Sequence, residues 1–181
     1  VDWEDRSTCV LFGDGAGAVV VSPSVDGKQG IIGTHLFADG TQTGILRIPA
    51  GGTVEPTTVA TLEARRHYLQ MSGREVFRVA VKSLVSSCEK ALAAAGLEAK
   101  DVDWLVPHQA NQRILDAVCS RLCDPKDRVY VNLERYGNTS SASIPIALDE
   151  AMRAGLIRRG QVVLFCAFGA GLAWASALVR F

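Results

Sequence analysis

From Val162 to Val179 the chain carries no charged side chain. A run of this kind can cross a bilayer as a helix of about 20 residues, or lie at the centre of a fold. Phe168-Gly169-Ala170-Gly171 decides between these by dividing the run into VVLFCA and LAWASALV, each of strand length, with Arg180 directly after. Two buried strands joined by a glycine-containing turn are predicted, and a membrane span is not.

From Ser72 to Ala95, Phe77, Val81, Leu84, Cys88, Leu92 and Ala95 recur at steps of three and four, so an amphipathic helix is predicted, ended by Gly96. Val102 to Val106 reads as a short strand running into Pro107-His108. Ile114, Leu115, Val118 and Leu122 mark a second helix, and Arg128 to Asn132 a further strand. Ile144, Leu148, Ala151 and Met152 mark a third helix, with Pro145 tolerable in its first turn and Gly155 as its stop. Ahead of these, Thr8–Phe12 and Ala18–Val21 read as a strand pair about Gly13-Asp14-Gly15-Ala16-Gly17, and Ile31–Phe37 as a third strand. Residues 39–56 read as a long loop, with at most a short strand at Ile45–Ile48. Strands alternating with helices and closing on two consecutive strands indicate an α/β layered fold with a mixed sheet.

A chain of 181 residues, 48% hydrophobic and 21% charged, buries one core and is not a disordered tail. Its 19 basic side chains are balanced by 19 acidic ones, which gives no global field for nucleic acid. Cys9, Cys88, Cys119, Cys123 and Cys166 are odd in number and form no C-x-x-C pair, so neither a disulfide framework nor a zinc ribbon is indicated. A reducing compartment fits best. The chain begins on valine with no signal or transit peptide, so its N-terminus reads as a cut, with any targeting segment upstream.

Gly13, Gly15 and Ala18 fit the G-x-G-x-x-A form of the dinucleotide fingerprint, which needs a helix straight after the glycines. AVVV follows instead, so the glycines are read as sites of close backbone packing. In WLVPHQANQRI, His108 stands where a buried strand gives way to a helix, the end of the strand where ligands gather in α/β sheets. The structural alternative is a histidine that satisfies the first turn of that helix. In YGNTSSAS, Asn138 sits in a second strand-to-helix turn, where an asparagine also serves as a left-handed turn residue or cap. The backbone N–H groups of Ala167-Phe168-Gly169-Ala170-Gly171 are placed to face an oxyanion, or form a plain hairpin turn.

In this order, the three segments resemble the C-terminal half of the thiolase-fold condensing enzymes, most closely the β-ketoacyl-acyl-carrier-protein synthase III family. The resemblance runs through LFGDGAGA, ADG, VFRVAV, WLVPHQANQRI, YGNTSSASIPIALDEA and FGAGLAWASALVRF, nearly the whole chain. It implies a five-layered fold of two similar halves, with residues 1–33 ending the first half as a strand pair and residues 34–181 forming the second. It also implies that His108 and Asn138 are two members of a Cys-His-Asn triad. An acyl-CoA acylates the cysteine, a malonyl group on acyl carrier protein loses carbon dioxide, and the carbanion attacks the acyl thioester. Two neutral donors suit that step, because they stabilise the thioester oxygen without supplying a proton that quenches the carbanion.

By the same resemblance the backbone at Ala170 belongs to an oxyanion hole for the acyl carbonyl. Many relatives have glycine there; alanine keeps the N–H and costs about 1 kcal/mol only if φ is positive. Asn111 and Gly73 resemble positions that meet the pantetheine arm, Arg6 the arginine against the CoA adenine, and Phe12 and Leu69 walls of the acyl pocket, which simple core residues also match. Arg78 and Arg113, widened by Arg74 and Lys82, resemble a docking surface for the acidic acyl carrier protein. His35 and His67 match no catalytic position. A homodimer is implied, with CoA and carrier-protein thioesters as substrates and no metal or further cofactor. A cytoplasmic location follows, or a plastid one if a transit peptide lies upstream.

The family's nucleophile sits at the N-terminus of a buried helix, where the dipole favours thiolate, and none of the five cysteines has that setting. Cys88 and Cys119 fall on apolar helix faces, Cys9 and Cys166 in strands, and Cys123 near a helix end. The chain is therefore expected to be a C-terminal piece of a condensing enzyme that lacks the nucleophile. Competing readings are a relative of polyketide or quinolone type with another starter, and a noncatalytic module that only docks carrier protein, which would need neither His108 nor Asn138.

Overall fold

The structure is a computed structural model that describes residues 1–24, 27–122 and 128–181. In chain order its elements are β1 (Gly30–Ala38), β2 (Leu46–Arg47), α1 (Val59–Glu63), β3 (Gln70–Met71), α2 (Gly73–Ala94), β4 (Trp104–Pro107), α3 (Gln112–Leu122), α4 (Leu133–Tyr136), α5 (Ser143–Arg153), β5 (Val162–Gly169) and β6 (Ala173–Arg180). Four strands form a mixed sheet in the order β1-β6-β5-β4, with β4 and β5 parallel and the other pairs antiparallel. The α/β fold expected from the alternation of elements is the one observed.

The uncharged run becomes β5 and β6, at the centre of this sheet; β5 is buried on both faces over its first half, which removes polar periodicity there, whereas β6 buries Ser176 and Leu178 and leaves most of its other residues half-buried. On one face Leu105, Val162, Leu164, Cys166 and Leu178 pack against α2 and α3 through Val81, Leu84, Cys88, Leu92, Ile114 and Val118. On the other, Val106 and Val163 pack against Ala147 and Ala151 of α5, flanked by Trp104, Tyr130 and Phe165. Successive residues of β4 and β5 thus serve opposite layers. Buried Ser87 of α2 and Ser176 of β6 interrupt the apolar packing as a pair, the Ser87 hydroxyl donating to Ser176 Oγ at 2.8 Å and Ser176 donating to the Ser87 carbonyl at 3.0 Å.

The three long helices lie where periodicity puts them, Gly96 (φ +66°) and Gly155 (φ +69°) following α2 and α5. Two strand expectations are corrected. Thr8–Phe12 and Ala18–Val21 do not pair; Phe12 makes a single parallel bridge with Asn138, and Val19, Val20 and Val21 are 62%, 93% and 77% exposed. β-Branched residues report a local preference for extended backbone, whereas a ladder needs a partner, and residues 8–11 are folded into turns. Likewise Arg128–Asn132 forms only a bridge from Val129 to Leu105, because by Asn132 the chain has turned into α4. The loop from Asp39 contains a 3₁₀ turn over Gly40–Ile45, and β2 pairs with β3. Cys9 lies in a turn rather than a strand, Cys88, Cys119 and Cys166 are buried, and Cys123 lies outside the described residues.

The glycines of the first segment pack as expected. A Cβ on Gly13 would sit on the Tyr136 carbonyl oxygen, and one on Gly17 would lie 2.5 Å from Pro145 Cγ. The segment therefore lies backbone-first against the loop that carries Asn138. The glycine fingerprint serves packing, since residues 13–20 form no helix.

The central sheet yields a stability test. Leu178 is fully buried between β5 and α2, so Leu178→Ala should cost about 3–5 kcal/mol while Leu178→Met costs less than about 1.5 kcal/mol. Urea denaturation should show the difference as a shift in midpoint at constant slope.

Candidate active site

β4 ends at Pro107, but its pairing with β5 continues one residue further, where the His108 N–H donates to the Cys166 carbonyl at 2.8 Å. This delivers the histidine to the rim of the sheet. The chain then turns sharply into α3, with the Ala110 N–H bonded to the His108 carbonyl and Asn111 Oδ1 accepting the Ile114 N–H at 3.0 Å as a helix cap. Gln109, between them, is buried with its amide fully engaged. Its Nε2 donates to the carbonyls of Pro107 and Tyr130, and its Oε1 accepts the Asn132 N–H. His108 is consequently fixed from the strand before it and the buried side chain after it.

Asn138 reaches the same rim from the other side. Gly137 adopts φ +67°, and a Cβ there would lie 3.1 Å from the Leu11 carbonyl oxygen. The Asn138 N–H donates to Leu11 O at 2.8 Å and its carbonyl accepts the Gly13 N–H at 3.0 Å, so the backbone is clamped on both edges. Asn138 Oδ1 accepts the Ser140 N–H at 2.9 Å, which leaves the amide NH₂ as the end available to a ligand. That bond also holds Ser140 at φ +54°, a left-handed conformation costing a serine about 1 kcal/mol.

His108 and Asn138 line one cavity of about 480 Å³, together with Phe12, Leu69, Asn111 and Ala170. Six of the expected site residues thus meet. Trp174, Phe37 and Phe168 stack along its wall, with ring centroids 5.8 and 6.4 Å from Trp174. The remaining four do not line it. Arg6 is exposed; Gly73 is exposed at the start of α2, next to Met71 of the cavity wall; Arg113 is exposed with its guanidinium 5.3 Å from the centre of the Phe77 ring; Arg78 lines a separate basic groove with Lys82 and Lys90. Ala170 is not among the residues with positive φ, so alanine carries no strain there. Among the described residues no cluster of His, Cys, Asp and Glu is arranged to hold a metal ion, and no helix is long and apolar enough to cross a membrane.

Burial lowers the pKa of His108 to about 4, opposed by hydrogen bonding to the Ser140 backbone. At neutral pH the ring is uncharged, with one N–H to donate. Three residues that shape the site were not singled out in the sequence. Ser143 meets His108 Nδ1 at 2.7 Å, Gln109 braces the turn, and Glu150 accepts hydrogen bonds from Asn132 Nδ2 and the Tyr136 hydroxyl, both at 2.6 Å, besides pairing with Arg135. Those contacts hold the Glu150 carboxyl below its usual range, Asn132 first and Tyr136 next. Neither Ser143, in a helix start, nor Glu150, in a charged helix turn, carries a local signal for such contacts.

Residues 1–40 match the family described as 3-Oxoacyl-[acyl-carrier-protein (ACP)] synthase III, and residues 92–181 its C-terminal region. The chain belongs to this family. It is 53% identical over 180 residues to the β-ketoacyl-[acyl-carrier-protein] synthase III of Roseiflexus castenholzii, covering 99% of the chain and 54% of that protein. The synthase III structure from Thermus thermophilus superposes with a TM-score of 0.88 at 45% identity, covering all of this chain and 55% of the other. The priming β-ketosynthase of the R1128 polyketide pathway gives 0.85 at 40% identity, covering 99% and 53%. The chain spans about half the length of these relatives.

The depressed proton affinity of His108 has a signed consequence. The folded state holds the ring neutral while the unfolded chain protonates it near pH 6.5, so this group leaves stability intact above pH 6.5 and removes it as pH falls towards 4. The loss should approach about 3 kcal/mol below pH 4 and be absent in His108→Gln, as read from the difference between the two proteins' denaturation midpoints across that window. Imidazole NMR should show His108 still neutral at pH 5.5.

Proposed function

We propose that the chain supplies the carbanion-forming part of a β-ketoacyl-[acyl-carrier-protein] synthase III, which condenses an acyl-CoA starter with malonyl-acyl-carrier protein to begin fatty-acid synthesis. The observation that carries this reading is the convergence of a neutral His108 and the Asn138 amide on one largely apolar cavity. The malonyl C–C bond breaks, its electron pair moves onto the thioester oxygen, and carbon dioxide leaves. The carbanion then attacks the acyl carbonyl and expels the thiolate of the acylated cysteine. Imidazole and amide N–H groups stabilise the developing oxyanion, and an apolar surround strengthens both. The described thiols line no part of the cavity, in keeping with a nucleophile outside these residues.

Further roles follow from the same reading. Ala170 contributes its backbone N–H to the acyl oxyanion hole, Asn111 and Gly73 meet the pantetheine arm, Arg6 meets the CoA adenine, and Phe12 and Leu69 bound the acyl pocket. Residues up to about Gly33 end a first α/β half and Thr34–Phe181 form the second, although β1 runs continuously through that boundary. The functional unit is a homodimer that acts on CoA and carrier-protein thioesters without metal or redox cofactor. Bacterial relatives support a cytoplasmic location, and the plastid alternative has no support from them. The likeness to a polyketide priming synthase favours a second reading in which only the starter differs.

In the full-length protein His108→Ala and Asn138→Ala should each lower malonyl decarboxylation by about two to three orders of magnitude while leaving most of the cysteine acylation in place. Near wild-type condensation by either variant would remove that residue from the mechanism. Carrier-protein docking is proposed on the exposed face of α2, where Arg74, Arg78 and Lys82 follow one another at four-residue spacing, together with Arg113. Such a surface steers an acidic partner and weakens with salt. Arg78→Glu with Arg113→Glu should raise KM for malonyl carrier protein far more than KM for the acyl-CoA; equal changes would discard the docking surface.

A further inference from the structure

Ser143 stands behind the His108 ring in the first turn of α5, 2% exposed. Its hydroxyl does not cap the helix. Ser143 Oγ accepts the backbone N–H of Gln109 at 3.2 Å and lies 2.7 Å from His108 Nδ1. These are its two hydrogen-bond partners among the described residues. An oxygen that receives the Gln109 N–H still has a proton of its own to donate, and Nδ1 is the partner that can take it. A neutral imidazole accepts at Nδ1 only when its single hydrogen is on Nε2.

We propose that Ser143 is a positioning residue that fixes His108 in the Nε2–H tautomer, so that the ring keeps an N–H donor on the nitrogen away from α5. The opposite tautomer would aim Nδ1–H at Ser143 and leave the hydroxyl proton without a partner in a buried site, a costly arrangement. It would also present a bare lone pair at Nε2, which repels a developing oxyanion. Because burial keeps the ring uncharged at neutral pH, only one of its nitrogens carries hydrogen, and the choice between them has consequences. Gln109 takes part through its backbone. Its buried side chain locks the turn, and its N–H engages one lone pair of the Ser143 oxygen.

The tautomer is independent of what the site catalyses, whereas its effect on rate rests on the reading of His108 as an oxyanion donor. The test separates the two. In full-length protein labelled with nitrogen-15 at histidine, the His108 signals are assigned by their loss in His108→Gln. Long-range nitrogen–proton correlation at pH 7 should show one protonated Nε2 and one pyridine-like Nδ1. Ser143→Ala should give a mixture of tautomers, and Ser143→Thr should restore the single form. Decarboxylation of a malonyl thioester should fall in kcat by about tenfold to hundredfold in Ser143→Ala, with KM little changed and recovery in Ser143→Thr. A wild-type ring protonated at Nδ1, or a single Nε2–H form that survives Ser143→Ala, overturns the proposal. A Ser143-dependent tautomer in a protein that decarboxylates nothing upholds it and overturns the functional reading instead. If Ser143→Ala does not fold, Ser143→Cys, with a weak thiol donor of similar size, is read the same way.

Discussion

The hydrogen bond from the His108 N–H to the Cys166 carbonyl extends the parallel β4–β5 ladder by one residue, and the rest of the site is arranged around it. Both strands are buried on two faces, so neither can slide or tilt without exposing one layer of the core. The histidine therefore inherits the rigidity of the sheet while standing just outside it. A residue on a free loop would have to be ordered at the moment of binding, whereas His108 is ordered by folding.

The second donor is held by different means. Asn138 lies in no helix or regular strand, and its position comes from a clamp of backbone hydrogen bonds to residues 11 and 13 and from the Glu150 contacts to Asn132, Tyr136 and Arg135. Glycine at 13, 15 and 17 lets the first segment approach closely enough for the clamp to close. One donor thus depends on sheet packing and the other on local polar contacts, with Gln109 and Asn132 joining the two regions through a buried hydrogen bond of 3.1 Å.

What was legible in the sequence follows the same division. Helices α2, α3 and α5 and strands β5 and β6 were readable because each carries its own periodicity or belongs to an uncharged apolar run divided by a glycine-containing turn. His108 and Asn138 were singled out through the resemblance of the peptides that contain them, since each peptide alone also fits a structural role, and the structure brings both to one cavity. The strand pair expected in the first segment failed because extended preference at Val19–Val21 does not name a partner, and the strand expected at Arg128–Asn132 failed because Gln109 captures Asn132 and the chain turns. Ser143 and Glu150 were illegible for a related reason. Each acts across space on a residue far away in the chain, and its own neighbourhood reads as an ordinary helix.

The bridge between Phe12 and Asn138 joins two residues far apart in the sequence. On a ribosome the Asn138 loop emerges long after residues 11–13, and pairing of such high contact order is slow compared with the helices and the hairpin of β5 and β6. The histidine, whose support comes from β4 and β5, has to wait for β5 as well. A nascent chain that has emerged through α5 but not β5 therefore contains every support of Asn138 and lacks the strand that fixes His108, so the cavity is completed from its asparagine side first.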